Sequence, residues 1–322
     1  MPRTKANGIE LEYETFGDPQ NPTLLLVMGL GMQLLGWRRD LCEGFAARGF
    51  QVVRYDNRDS GLSDFLDQGP QPDLRALIGG DPSSAPYLVR DLSLDALGLL
   101  DALGIERAHI AGVSMGGMIA QQVAIDQPGR LLSLSSIMSM PGDGSSGQPT
   151  PEAMALLLSP RPQGREAAIE RGMHTWRVLG SPDYPEAESS LRAHVIEAYE
   201  RSSRSDGFGR QLAAILASPD RTPGLREVTL PTLVLHGTAD PLIQCSGGEA
   251  TAAAVPGAEL LLLPGMGHNL PEQLWPVIIE AVTANAAKAG WRPVRPGRPA
   301  VECPAVGLPA VERPAVGLRQ LP

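Results

Sequence analysis

Ala108-His-Ile-Ala-Gly-Val-Ser114-Met-Gly-Gly-Met118 is the stretch that decides the fold. Ala108 to Val113 is a short apolar run of buried-strand type, and Met115 to Asp126 looks helical, stopped before Pro128. The two meet at Gly112-Val113-Ser114-Met115-Gly116, a G-x-S-x-G motif. In a chain with 36 glycines such a motif alone says little. Between a strand and a helix it says more. A turn sharp enough to lift the serine hydroxyl above a sheet needs glycine where the two backbones pass closely. Serine at the helix start also sets the N–H of Met115 at the positive end of the helix dipole.

Working outward, strands alternate with helices. Thr23–Met28, Gln51–Tyr55, Leu131–Met138, Thr232–His236 and Glu259–Leu263 read as further strands. Val89 to Leu103 has helical spacing, with Leu92, Ala96, Leu99 and Leu103 on one face, and Pro271 to Ala289 reads as a helix opened by proline. This alternation predicts an α/β fold with a mostly parallel sheet and helices on both faces. Between Met140 and Arg226 the strand signal disappears into helical stretches (Pro151–Leu158, Arg165–Leu179, Glu186–Ser202, Gly209–Ala217) joined by Pro/Gly/Ser-rich connectors. The expected organisation is a core over 1–139, a helical cap insertion over 140–226 and the rest of the core over 227–290. Residues 291–322 hold seven prolines and a ten-residue repeat, Pro299–Leu308 echoed by Pro309–Leu318, so a disordered proline-rich tail is expected.

The 322 residues carry a net charge of −9, which argues against nucleic-acid or acidic-membrane partners. Cys42, Cys245 and Cys303 are too far apart to suggest a disulfide framework or a zinc site. The first residues lack the apolar stretch of a signal peptide, and the apolar run near Leu24–Met32 is far short of a membrane span. A cytoplasmic protein with no metal, no cofactor and a small-molecule substrate is therefore expected.

A serine hydroxyl is a poor nucleophile until a base takes its proton. Of five histidines, His109 and His236 lie within strands, and His174 and His194 fall in the cap. His268, in Pro264-Gly-Met-Gly-His268-Asn, sits in a glycine-rich loop after the last apolar strand, at the sheet edge that holds Ser114. It is the expected base. Asp240, in His236-Gly-Thr-Ala-Asp240-Pro, follows the preceding strand and is the expected acid, with Asp143 as the second choice. Ser114, Asp240, His268 is the chain order this architecture requires. Acyl transfer also needs oxyanion donors. One is the backbone N–H of Met115; the other comes from Met28-Gly29-Leu30-Gly31-Met32, with Leu30 first and Gly29 or Gly31 still open.

These motifs resemble the α/β-hydrolase superfamily over nearly all of residues 1–290, with Met28-Gly29 standing where the family usually has His-Gly. Leu25–Gly29, Arg54-Tyr-Asp-Asn-Arg-Asp-Ser-Gly61, Ser114-Met-Gly116 and Pro264–His268 resemble aclacinomycin methylesterase-like esterases. That resemblance implies a carboxylic methyl ester as substrate, and a structural role for the Asp56–Gly61 loop through Arg58 and Asp59. Seven of ten methionines lie near strand carboxyl ends or in the elbow. They either fill the core or line an adaptable apolar pocket; Met28, Met32, Met140 and Met266, with Trp37, are the pocket candidates, and Trp176 is a further aromatic. The expectation is a serine carboxylic-ester hydrolase acting on a small to medium apolar ester. Perhydrolase (haloperoxidase), lactone or C–C hydrolase chemistry on the same residues, or ligand binding without turnover, are the alternatives.

Overall fold

A computed structural model describes residues 2–69 and 71–291. The proline-rich repeat lies outside the described residues. Eight strands, β1 (Arg3–Ala6), β2 (Ile9–Phe16), β3 (Thr23–Val27), β4 (Gln51–Tyr55), β5 (Ala108–Val113), β6 (Leu131–Ile137), β7 (Thr232–Gly237) and β8 (Glu259–Leu263), form one sheet. Helices α1 (Arg39–Ala46), α2 (Leu74–Ile78), α3 (Val89–Ala102) and α4 (Met115–Asp126) lie among the first six strands. Between β6 and β7 come α5 (Pro151–Leu158), α6 (Arg165–Leu179), α7 (Glu188–Arg201), α8 (Gly207–Ala217) and α9 (Thr222–Leu225). Helix α10 (Ser246–Ala254) separates the last two strands, and α11 (Trp275–Ala287) follows β8.

The strand order is β1-β2-β4-β3-β5-β6-β7-β8. The pairs β1·β2 and β2·β4 are antiparallel and the others parallel, so the sheet is of the expected α/β type. Every residue of β3 is buried, as a strand covered on both faces requires. Alternation then divides its side chains. Leu25 and Val27 join a core with Leu92, Leu99, Ile119 and Val123 of α3 and α4. Leu24 and Leu26 join the opposite core, with Phe45 of α1 and Ile278 and Val282 of α11. Each leucine so buried contributes about 1.5–3 kcal/mol.

The antiparallel β1–β2 edge has no counterpart in the sequence expectations. Asn7 and Gly8 both have positive φ, 50° and 82°, and Ala6 pairs with Ile9 across them. That is a two-residue Asn-Gly hairpin turn, whose twist matches its strands. Where one helix was expected from Pro271, a single 3₁₀ turn (Glu272–Leu274) precedes α11.

The position of β3 fixes where a ligand can sit. From β3 the chain moves outward to β4, then crosses back to β5 on the other side. Such a reversal opens a crevice beyond the carboxyl ends of the two central strands. The Met28–Met32 loop and Ser114 both lie there.

Candidate active site

Ser114 adopts φ 57° and ψ −121° between β5 and α4. A side chain in this left-handed region costs about 1–3 kcal/mol, so the surroundings must hold it. Its N–H donates to the Ile137 carbonyl at 2.9 Å, and its carbonyl accepts from Ser139 Oγ at 2.8 Å. The flanking glycines are obligatory: a Cβ on Gly112 would strike the Gly116 carbonyl, and one on Gly116 would strike the Val27 carbonyl.

His268 follows β8, and its backbone N–H donates to the carbonyl of Leu179, at the end of α6, at 2.7 Å. Its Nδ1 lies 2.7 Å from Asp240 Oδ2. The two oxygens of Asp240 divide the work. Oδ1 accepts the N–H groups of Leu242 at 2.9 Å and Ile243 at 3.0 Å, which folds the loop after β7, while Oδ2 faces the imidazole. Burial raises the Asp240 pKa, but the His268 charge and hydrogen bonds from His236 and His268 outweigh it and hold the carboxyl well below its usual range. Asp143 is engaged elsewhere: its Oδ1 accepts from Ser145 and Ser146 in its own turn at 2.9 and 2.8 Å.

Ser114 and His268 line one cavity of about 300 Å³. The imidazole, fixed by a buried carboxylate, thus shares its cavity with the serine side chain. In the loop after β3, the Gly31 N–H donates to Gln211 Oε1 at 2.8 Å. Gly31 is thereby committed, whereas the N–H groups of Leu30 and Met115 have no hydrogen-bond partner among the described residues.

The pocket expectations divide. Met28 and Met32 line the cavity beside Gly29 and Leu30. Trp37, Met140 and Met266 do not, and for these three the expectation is corrected. Trp37 and Met266 are completely buried in the core that α1 and α11 cover, and Met140 packs against the opposite core. Met140 and Met266 follow strand ends by three residues and Trp37 follows a 3₁₀ turn at Leu34–Gly36, but each packs its side chain against a core and not into the cavity. Trp176, Phe208, His194, Arg161 and Arg171 line the cavity instead. They come from the segment between β6 and β7, Arg161 from the α5–α6 connector and the others from helices, where sequence alone offered no motif. The Asp56–Gly61 loop is tied down through two ion pairs, Arg58–Asp95 at 2.5 Å and Asp59–Arg210 at 2.6 Å.

A second cavity of about 430 Å³ adjoins the first and shares Trp176, His194 and Leu270 with it. Among the described residues no group of three or more His, Cys, Asp and Glu is placed to hold a metal ion. Nor is any helix of them long and apolar enough to cross a membrane.

A glycine-bracketed serine after a central parallel strand, with a histidine and a carboxylate delivered from later strands, defines a class of hydrolase. Residues 22–273 match the family described as alpha/beta hydrolase fold, and the chain belongs to that family. It is 28% identical to a rhodomycin D methylesterase of Streptomyces sp. (strain C5), over 87% of this chain and 96% of the relative. It is also 28% identical to the 3-oxoadipate enol-lactonase 2 of Acinetobacter baylyi, over 76% of this chain and 81% of the relative. Among solved structures, the enol-lactonase from Burkholderia xenovorans LB400 superposes with a TM-score of 0.70 at 24% identity, covering 88% of this chain and 99% of that one.

Proposed function

We propose that this hydrolase cleaves a carboxylic ester of small to medium size through an acyl-enzyme, with Ser114 as nucleophile, His268 as base and Asp240 as its orienting acid. The observation that carries this reading is the strained Ser114 opening into the same cavity as an imidazole bonded to a buried carboxylate at 2.7 Å. Ser114 Oγ attacks the ester carbonyl while His268 Nε2 takes its proton. The oxyanion is held by the N–H groups of Met115 and Leu30, each worth about 2.7–4 kcal/mol in such a role. His268 then protonates the departing alcohol and activates the water that frees the acid. Asp240 keeps the proton on Nδ1 so that Nε2 can act.

The helices α5 to α8 act as a cap that walls the cavity. The relatives named as a methylesterase and an enol-lactonase support an acyl carbon–oxygen bond as the one broken. The experiment is stopped-flow with p-nitrophenyl esters and lactones of graded size. An initial burst is expected with activated esters. Ser114→Ala and His268→Ala are expected to lose the burst and about 10³-fold or more of turnover. Wild-type-like turnover in either variant would overturn the assignment.

A further inference from the structure

We propose that Arg161 and Arg171 form a carboxylate-binding subsite in the wall of the cavity, so that the preferred substrate carries a free carboxylate remote from the bond cleaved. The inference rests on the ester-hydrolase reading above and narrows its substrate class.

Three arginines line the cavity: Arg161, Arg171 and Arg204. Arg204 is neutralised by Asp67 at 2.7 Å and Asp206 at 2.8 Å. The one carboxylate in the wall, Asp59, is taken by Arg210 at 2.6 Å and by the Tyr87 hydroxyl at 2.7 Å. Arg161 and Arg171 have no carboxylate partner among the described residues. Nearby arginines that face outward on α6 and α7 do find one, as in Arg165–Glu200, Arg177–Glu188 and Arg192–Glu170. In a chain with more acids than bases, two inward-facing cations left without an acid are a departure that needs a cause.

What the two arginines touch leaves donors free. The Arg161 guanidinium lies over the Phe208 ring, 3.6 Å from its centroid, which covers a face and not the N–H edge. Arg171 donates one Nη2 bond to the Leu156 carbonyl, while its buried Nε has no partner among the described residues. Burial and the neighbouring Arg171 charge pull the Arg161 pKa down to about 10, so Arg161 remains a cation at neutral pH; burial also lowers the Arg171 pKa. Two like charges facing one cavity repel, and an anion between them removes that cost. Planar guanidinium edges match a carboxylate in two-point contact. The subsite is built from the α5–α6 connector, α6 and Phe208 of α8, whereas Ser114 and His268 come from strand ends. Because all line one cavity, a single ligand can span them.

The test pairs p-nitrophenyl monoesters of succinic, glutaric, adipic and pimelic acids with neutral esters of equal chain length ending in methyl. At one chain length or more, the wild type is expected to favour the charged ester about tenfold or more in kcat/KM. That ratio should shrink as salt rises and fall toward one in Arg161→Gln and Arg171→Gln. A neutral preference at every length, or a ratio that survives both substitutions, overturns the proposal while leaving the esterase reading intact. A second arm needs no turnover: calorimetric titration of Ser114→Ala with glutarate and adipate. Saturable binding that weakens about tenfold or more when Arg171→Gln is added supports the subsite. No binding of either dicarboxylate overturns it. If binding is seen but no ester is ever turned over, the subsite stands and the esterase reading fails.

Discussion

Ser114 is held against its own preference. At φ 57° a residue with a Cβ is strained and a glycine is not. Ser114→Gly is therefore expected to stabilise the fold by about 1 kcal/mol or more while abolishing turnover. Urea denaturation checks this; a lower midpoint than wild type would show that the geometry is unstrained. Asp240 makes a complementary case. In Asp240→Asn, the amide oxygen can still accept the Leu242 and Ile243 N–H groups, so the loop should keep its shape. The amide nitrogen, however, would face His268 Nδ1 and favour the wrong tautomer. A fall in kcat of about 10⁴ with little change in KM is expected. A loss confined to KM would contradict the orienting role.

At the scale of elements, the helices between β6 and β7 do more than wall the cavity. Helix α8 brings Gln211 under the loop after β3, where it accepts the Gly31 N–H at 2.8 Å and donates to the Arg58 carbonyl at 2.6 Å. Helix α6 ends on the His268 N–H. Two loops of the sheet edge are thus positioned by one insertion. Gln211→Ala should lower kcat about tenfold with a smaller change in KM, because Leu30 loses a fixed neighbour. An unchanged kcat would mean that the loop holds itself.

These tethers also explain what could be read in the sequence. β3, β5, β6 and β7, α3, α4 and the places of Ser114, Asp240 and His268 just after strands were legible because each rests on local pattern: an apolar run, a period, a glycine pair. Gln211 and Arg161 were not, because their meaning depends on a partner far along the chain. Arg161 stands in Ser159-Pro-Arg-Pro-Gln, which reads as a connector. Trp37 and Met266 failed for a related reason, since distance along a loop does not say which way a side chain turns. The β1–β2 hairpin did carry a local signal, Asn7-Gly8, and that signal was readable.

Over the whole molecule, buried histidines set an acid limit. Burial, aided by Arg107 for His109 and by Arg38 and Arg54 for His194, lowers both pKa values to about 4. An unfolded chain binds protons at these sites from about pH 6.5 downward, and the folded protein does so only near 4. Stability should therefore fall as pH drops from about 6.5 to 4, then lose this dependence below. Urea midpoints measured across that window, for wild type and for His109→Asn combined with His194→Asn, should give a shallower slope in the double variant. Equal slopes would place the acid sensitivity elsewhere.

The strand order carries one more consequence, which concerns time. Ser114 and the N–H groups of Leu30 and Met115 belong to the first half of the sequence, whereas Asp240 and His268 lie on loops after β7 and β8, the last two strands among the described residues. On the proposed roles, a nascent chain that has made β3, β5 and α4 around the serine still lacks the base that would activate it. By the same roles, a product that ends before β7 lacks both the base and its carboxylate and is expected to be inert.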